Sequence, residues 1–330
     1  MSIASGFWRE LPKPFFVLAP LANVTDAAFR SLIAKYSKPA GPHVMYTEFV
    51  SADGLVRGNA EVLSRDLLFT DAERPVVAQF FTSDPVMMEA AAGRAAELGF
   101  DGVDINMGCP DRAVERGGAG SALIKNPARA QELVAAAKRG APLLPVSVKT
   151  RLGYNKDTLD EWLPALLEAE PAAITLHART RKEMSKVPAR WERVARAVEI
   201  RNALRSQALI VGNGDLQDVT DARRKVKESG ADGAMLGRAI FGRPWLFAEE
   251  AAFTHFAESL HVAERLRVAV EHAALFERLL GDIKNFAIMK KHFKAYVEGF
   301  PGAKELRTEL METESAAQVG RVIEAFLETR

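Results

Sequence analysis

The sequence predicts an α/β fold, a (β/α)8 TIM barrel, followed by a C-terminal all-helical domain. Three observations lead there. Short runs rich in β-branched and aromatic residues alternate with longer amphipathic stretches, the signature of parallel strand–helix units. There are eight such runs, and they fill about 250 residues, the usual size of one barrel. Beyond residue 253 the strand pattern stops and only helical periodicity remains. A doubly wound open sheet is the alternative that the same alternation allows.

In chain order the strands are expected at 15–19, 44–49, 75–81, 102–107, 144–150, 173–178, 208–214 and 233–238. Helical periodicity fills the gaps, most clearly at 85–98, 128–139 and 158–170, the last opened by Thr158 as N-cap. The barrel domain is expected over 1–253 and the helical domain over 254–330, the latter interrupted at "GFPG" (299–302). Within it, "KNFAIMKKHFK" (284–294) reads as one helix. At 100° per residue Lys284 and Lys291 nearly eclipse and Lys294 lies about 80° away, giving one cationic side, while Phe286 and Phe293 read as core. A solvated lysine face is the ordinary explanation of such a run, and a nucleic-acid contact the functional one.

Composition narrows the class. The 330 residues are 48% hydrophobic and 26% charged, globular averages, and Lys+Arg 44 against Asp+Glu 43 leaves a net charge of +1. Overall charge therefore points neither toward nor away from nucleic acid. No apolar run approaches the roughly 20 residues of a membrane span, and "MSIASGFWRELPK" lacks the apolar centre of a secretory signal. A cytoplasmic, monomeric protein without membrane contact is expected. A single cysteine allows no internal disulfide, and six scattered histidines show no metal-ligand spacing, so no metal is expected.

Barrel chemistry collects at the C-terminal ends of strands, so polar residues there carry weight. Gln79, Asn106, Lys149, Arg151, His177, Arg179, Asn213, Asp215, Gly237 and Arg238 all lie in or just after strands. "GNGD" (212–215) and "GR" (237–238) occupy the ends of strands seven and eight, where barrels seat phosphate on backbone N–H groups; tight turns would need glycine there in any case. Lys149 ends an apolar strand and calls for an anion, either a carboxylate or the pyrimidine edge of a reduced flavin. His177 reads alone as a core histidine. In "HARTR" (177–181), His177, Arg179 and Arg181 would share one face if the segment were extended.

The lone cysteine lies in "DINMGCPDRAVERGGAGSALI" (104–124). Together with "APLANVTDAAFR" (19–30), "AQFF" (78–81), "VSVKTRLG" (146–153), "TLHARTRKEM" (175–184), "VGNGD" (211–215) and "LGRAIFGRPWLF" (236–247), in this order, it resembles the bacterial tRNA-dihydrouridine synthases over nearly the whole chain. The resemblance implies an FMN-bearing barrel and a helical RNA-binding domain that reduces selected uridines in tRNA with NADPH. It implies that Pro20, Leu21 and Ala22 line the flavin, that Gln79 and Lys149 contact its pyrimidine edge, and that His177 packs on the same ring. Asn213, Gly214, Asp215, Gly237 and Arg238 would hold the ribityl phosphate, Asn106 would position the uracil, and Cys109 would supply a proton. Leu21 stands where the family often has methionine, and "SKVPARW" (185–191) lacks a glycine usual after the "RTR" segment.

Reducing the C5=C6 bond of uracil needs a hydride at one carbon and a proton at the other. A thiol near its reference pKa of about 8.5 holds that proton at neutral pH and can release it, so Cys109 suits a general acid. "RAVERGGAGS" (112–121) has the composition of a closing loop. A uridine in folded tRNA must be extruded to reach a barrel mouth, which asks for basic residues nearby; Arg179, Arg181, Lys284, Lys291 and Lys294 are the candidates. Two rival readings are an FMN-dependent pyrimidine reductase or dehydrogenase acting on a small molecule, and an inactive tRNA-binding module.

Overall fold

A computed structural model describes residues 3–58, 60–248 and 262–329. Eight parallel strands are present: β1 (Phe15–Leu18), β2 (Met45–Ser51), β3 (Val76–Phe81), β4 (Gly102–Met107), β5 (Val146–Arg151), β6 (Ala173–His177), β7 (Leu209–Asn213) and β8 (Gly233–Leu236). They pair in the order β1-β8-β7-β6-β5-β4-β3-β2. A parallel bridge between Val17 and Val44 closes the ring, with Leu18 N–H donating to Val44 C=O at 3.0 Å and His43 N–H to Phe16 C=O at 2.8 Å. The predicted barrel is the observed fold, and each predicted strand overlaps an observed one.

Side-chain alternation explains both the closure and the site. Val103, Ile105 and Met107 of β4, Val146 and Val148 of β5, and Ile174 and Leu176 of β6 point outward into the core shared with the surrounding helices. The intervening residues point into the barrel. There Phe15, Val17, Val44, Tyr46, Val77, Ala173, Val211 and Met235 make an apolar plug. The register places Gln79 beside Asp104, Asp104 beside Ser147, Asn106 beside Lys149, and His177 beside Asn213, so polar layers succeed the plug toward the strand ends. β2 is irregular: Tyr46 pairs with Val77 but Phe49 with Gln79, an extra residue that bulges the strand at Thr47–Glu48.

The helices begin where capping residues stand. Asp84 caps Pro85–Glu97 through Val86 N–H, and Asn126 caps Pro127–Gly140 through Arg129 N–H. Thr158 precedes Leu159–Glu168, but its hydroxyl makes no capping bond. Gly212 is required by packing: a Cβ there would lie 2.3 Å from the Trp191 ring, at the start of the helix Trp191–Ala203.

The C-terminal helices are Val262–Leu280, Lys290–Tyr296, Ala303–Met311 and Ala316–Glu328. The expected boundary between residues 253 and 254 lies outside the described residues. Among the described residues no helix is long and apolar enough to cross a membrane. The helical region seats on the barrel helix Ala27–Ser37, where Phe29 stacks on His272 at 4.7 Å and meets His292 edge-on at 4.8 Å. Both imidazoles are buried, and burial drives His292 down to about 3 and His272 well below the ordinary value, so both are neutral. Phe293 is buried and Phe286 packs against it, as core. The single helix expected over 284–294 is not found. Gly281 closes the preceding helix, Asn285 caps a 3-10 turn at Phe286–Met289, and the next helix starts only at Lys290. Lys284 and Lys291 therefore share no helical face.

Candidate active site

A cavity of about 700 Å³ opens at the C-terminal ends of the strands, within the range of small-molecule and cofactor sites. Its wall is built from the residues that follow successive strands: Pro20, Leu21 and Ala22 after β1, Asn106 and Gly108–Pro110 at β4, Lys149 and Arg151 on β5, His177 and Arg179 at β6, Asn213–Asp215 at β7, and Gly237 and Arg238 after β8. Residues far apart in sequence thus meet at one mouth because parallel strands all end there.

The turn bearing Cys109 is held from below. Asn106 Oδ1 accepts the N–H groups of Gly108 at 3.1 Å and Cys109 at 2.9 Å. Asn106 Nδ2 donates to Gln79 Oε1 at 3.0 Å, Gln79 Nε2 donates to Asp104 Oδ2 at 2.6 Å, and Ser147 Oγ donates to Asp104 Oδ1 at 2.6 Å. Burial pushes Asp104 up to about 6. Gln79 is wholly buried, both ends of its amide are bonded to protein, and it is not among the residues that line the cavity. From above, Arg151 Nε donates to the Gly108 carbonyl at 2.8 Å, and Ser121 N–H donates to the Cys109 carbonyl at 3.0 Å. Cys109 itself is half-buried in the wall, and burial raises its thiol above the ordinary value, so it carries its proton at neutral pH.

The cations stand beside the thiol, on the neighbouring strand β5. The Lys149 ammonium reaches Asn213 Oδ1 at 3.4 Å, and burial, then Arg151, lowers its pKa to about 8. Among the described residues no carboxylate pairs with it, which removes the salt-bridge explanation. Burial and the nearby cations hold His177 well below its ordinary pKa, so the neutral ring accepts from Arg179 at Nε2, 3.2 Å away, and carries its proton on Nδ1.

After β7 the backbone turns through Gly214 at φ 128°, where a Cβ would lie 2.8 Å from Ala189 Cβ, and through Asp215 at φ 53°. Asp215 Oδ2 accepts from Arg179 and from Ala189 N–H at 2.8 Å, and its Oδ1 accepts from Arg238 at 2.9 Å. Burial alone would raise this carboxyl, but those donors outweigh it and the group sits below its ordinary value.

Three of the residues expected to meet substrate are engaged elsewhere. Arg179 is 2% exposed, its guanidinium bonded to Asp215, His177 and the Val187 carbonyl. Arg181 grips Glu115 through two nitrogens, one at 2.7 Å. The extended "HARTR" face does not exist, because β6 ends at His177 and the chain then bends. Lys284 forms ion pairs at 2.6 Å with both Glu48 and Asp66. Only Lys291 and Lys294 are exposed as expected.

The residues 112–121, expected as a closing loop, contain a short helix, Arg112–Arg116, whose Glu115 is held by Arg181 and by Ser121 Oγ at 2.6 Å. The sequence places Arg151 at the end of strand five, among the residues converging on the mouth, without assigning it a contact, and does not single out Met184. Arg151 also donates to the carbonyls of Thr180 and Met184 at 3.2 Å, tying the Cys109 turn to the 180–184 segment. The alternation Ser147, Lys149, Arg151 on one face of β5 was a usable signal for Arg151; Met184, in the wall at φ 56°, had none.

The family model described as "Dihydrouridine synthase (Dus)" matches residues 17–329. The chain is 39% identical over 325 residues to a "Probable tRNA-dihydrouridine synthase" of Staphylococcus aureus strain COL, covering 97% of this chain and 95% of that one. It is 39% identical over 327 residues to "Probable tRNA-dihydrouridine synthase 2" of Bacillus subtilis strain 168, covering 98% and 97%. Among solved structures, histamine dehydrogenase from Rhizobium sp. 4-9 superposes with TM-score 0.53 at 13% identity, over 79% of this chain and 48% of that one. A 6-hydroxypseudooxynicotine amine oxidase from Pseudomonas geniculata N1 gives 0.54 at 13%, over 81% and 53%. At such identity these two share the fold alone, whereas the full-length matches fix the kinship: the chain belongs to the dihydrouridine synthase family.

Proposed function

We propose that this protein reduces the C5=C6 bond of selected uridines in tRNA to dihydrouridine, with FMN in the barrel cavity and NADPH as electron donor. The observation that carries the reading is one cavity wall holding a protonated thiol, Cys109, and an ammonium, Lys149, that forms no salt bridge among the described residues.

The residues fit FMN. The cluster of Arg179, Arg238 and Asp215 has an excess of one positive charge, and Lys149 adds another, so a phosphate and an electron-rich ring both meet compensating charge. The glycine turn at Gly214 lets backbone approach where a side chain would collide. In this reading Asn213, Gly214, Asp215, Gly237 and Arg238 hold the phosphate, Pro20, Leu21 and Ala22 line the ring, and Lys149 sits at its pyrimidine edge with neutral His177 nearby. Reduced FMN, when bound, supplies the hydride to one carbon of the uracil double bond.

The protein does the rest. Cys109 holds a proton for the other carbon, and Arg151 and Ser121 keep its turn at the mouth. Asn106 has one amide N–H bonded to Gln79 and a second left to meet a uracil carbonyl. Gln79 acts through Asn106 rather than on the ring. Exposed Lys291 and Lys294 of the helical region, with Lys182 and Lys186 beside the mouth, supply the phosphate contacts that tRNA requires. The catalytic barrel is taken as residues 1–253 and the tRNA-binding helices as 254–330.

The test is mass-spectrometric mapping of dihydrouridine in tRNA from cells with and without this protein. Loss of dihydrouridine at one or a few positions is expected. An unchanged tRNA pattern overturns the proposal.

A further inference from the structure

We infer that Lys284 is a positioning residue through which the C-terminal helices hold one wall of the catalytic cavity, by a relay Lys284–Glu48–Asn23. The inference rests on the proposed function only for its readout.

The relay is continuous in the structure. Lys284 Nζ lies 2.6 Å from Glu48 Oε2, and Glu48 Oε1 accepts the backbone N–H of Asn23. Asn23 directly follows Pro20, Leu21 and Ala22, which line the cavity. It adopts φ 53°, in the left-handed region that few non-glycine residues occupy, asparagine among the most tolerant of them. The same residue is held a second time from the helical region, Lys291 Nζ meeting its carbonyl at 3.4 Å. Both backbone polar atoms of Asn23, its N–H and its C=O, are therefore bound under the influence of residues some 260 positions later in the chain.

Glu48 is aimed at this task by the bulge in β2. Thr47 Oγ1 donates to the Glu48 carbonyl at 2.8 Å and accepts Gln79 N–H at 3.0 Å, so the irregular residues are fixed, and bulges re-aim side chains near active sites. With side chains 12% and 7% exposed, the Lys284–Glu48 pair is shielded from solvent, where removing one partner leaves the other charge uncompensated. Asp66 is the second partner of Lys284, yet it makes no contact with the Asn23 turn in the relay described.

This arrangement separates a relay from a merely structural ion cluster. Three variants are compared for melting temperature, FMN dissociation constant, and kcat and KM on a tRNA transcript: Lys284→Met, Glu48→Gln and Asp66→Asn. If the relay operates, Lys284→Met and Glu48→Gln each weaken FMN binding by about tenfold, the scale of one charge-assisted hydrogen bond, and lower kcat more than they raise KM. Asp66→Asn keeps FMN affinity within about twofold even if its melting point falls. Lys284→Arg, which retains the charge, recovers most of the affinity. Glu48→Gln is isosteric, so it reports on the relay even where Lys284→Met is too unstable to assay. Equal FMN affinity in wild type and Glu48→Gln overturns the inference, as does an equal loss in all three variants. If wild type itself binds no FMN, the proposed function fails instead, a result visible before any variant is made.

Discussion

Replacing Lys149 by methionine should make the ligand-free protein more stable while weakening its hold on FMN. The buried ammonium has its pKa lowered from 10.5 to about 8, and at 1.36 kcal/mol per pH unit that gap corresponds to a ceiling of about 3 kcal/mol of destabilisation below pH 8. Two effects reduce it. The amino group faces an open cavity, and its removal takes a compensating charge from Asp104. About 1–2 kcal/mol should remain, a rise of roughly 1.5–3 °C in the melting midpoint at pH 7. The sign with pH follows from proton counting. Between about pH 8 and 10.5 the unfolded chain binds the proton that the folded lysine has lost, so wild-type stability climbs through that window and the advantage of the variant shrinks. Thermal melts of ligand-free protein at pH 7 and pH 10, with FMN titrations alongside, measure both halves. A variant less stable than wild type at pH 7, or one binding FMN equally well, would refute the reasoning.

Cys109→Ala should retain FMN binding and NADPH oxidation but lose dihydrouridine formation by about 10²-fold or more, measured on a tRNA transcript. Because burial raises the thiol, the alkaline limb of the wild-type pH profile should lie above the ordinary thiol pKa of about 8.5; a fall already near neutrality would contradict the general-acid role. Gln79→Leu strips a partner from both Asn106 and Asp104, and should cost about 1–3 kcal/mol in urea denaturation while lowering uridine reduction more than FMN affinity. Arg179→Met leaves Asp215 without its most buried partner; a loss of about 2–4 kcal/mol is expected, and a melting point within a degree of wild type would show that Arg238 suffices.

Strands were legible in the sequence because a parallel barrel buries both of its faces, and β-branched runs such as "LIVGN" in β7 announce it. The strand-end rule then located Asn106, Lys149, His177 and Asn213 around one mouth without any knowledge of contacts. Depth was not legible. Alternation shows that Gln79 points into the barrel, but not that it stops one layer short of the cavity. Nor was pairing legible: Lys284 reads as a surface cation until Glu48, 236 residues earlier, is seen beside it. The alternate spacing in "HARTR" misled because spacing implies a shared face only while the strand lasts, and β6 ends at His177.

The most direct measurement of the central claim is an anaerobic single turnover. Protein reconstituted with FMN and reduced by NADPH is freed of excess nicotinamide and mixed with uridine-containing tRNA. One dihydrouridine should form per flavin reoxidised in wild type, and almost none in Cys109→Ala. Protein that cannot take up FMN, or a Cys109→Ala variant that forms dihydrouridine at the wild-type rate, would contradict it.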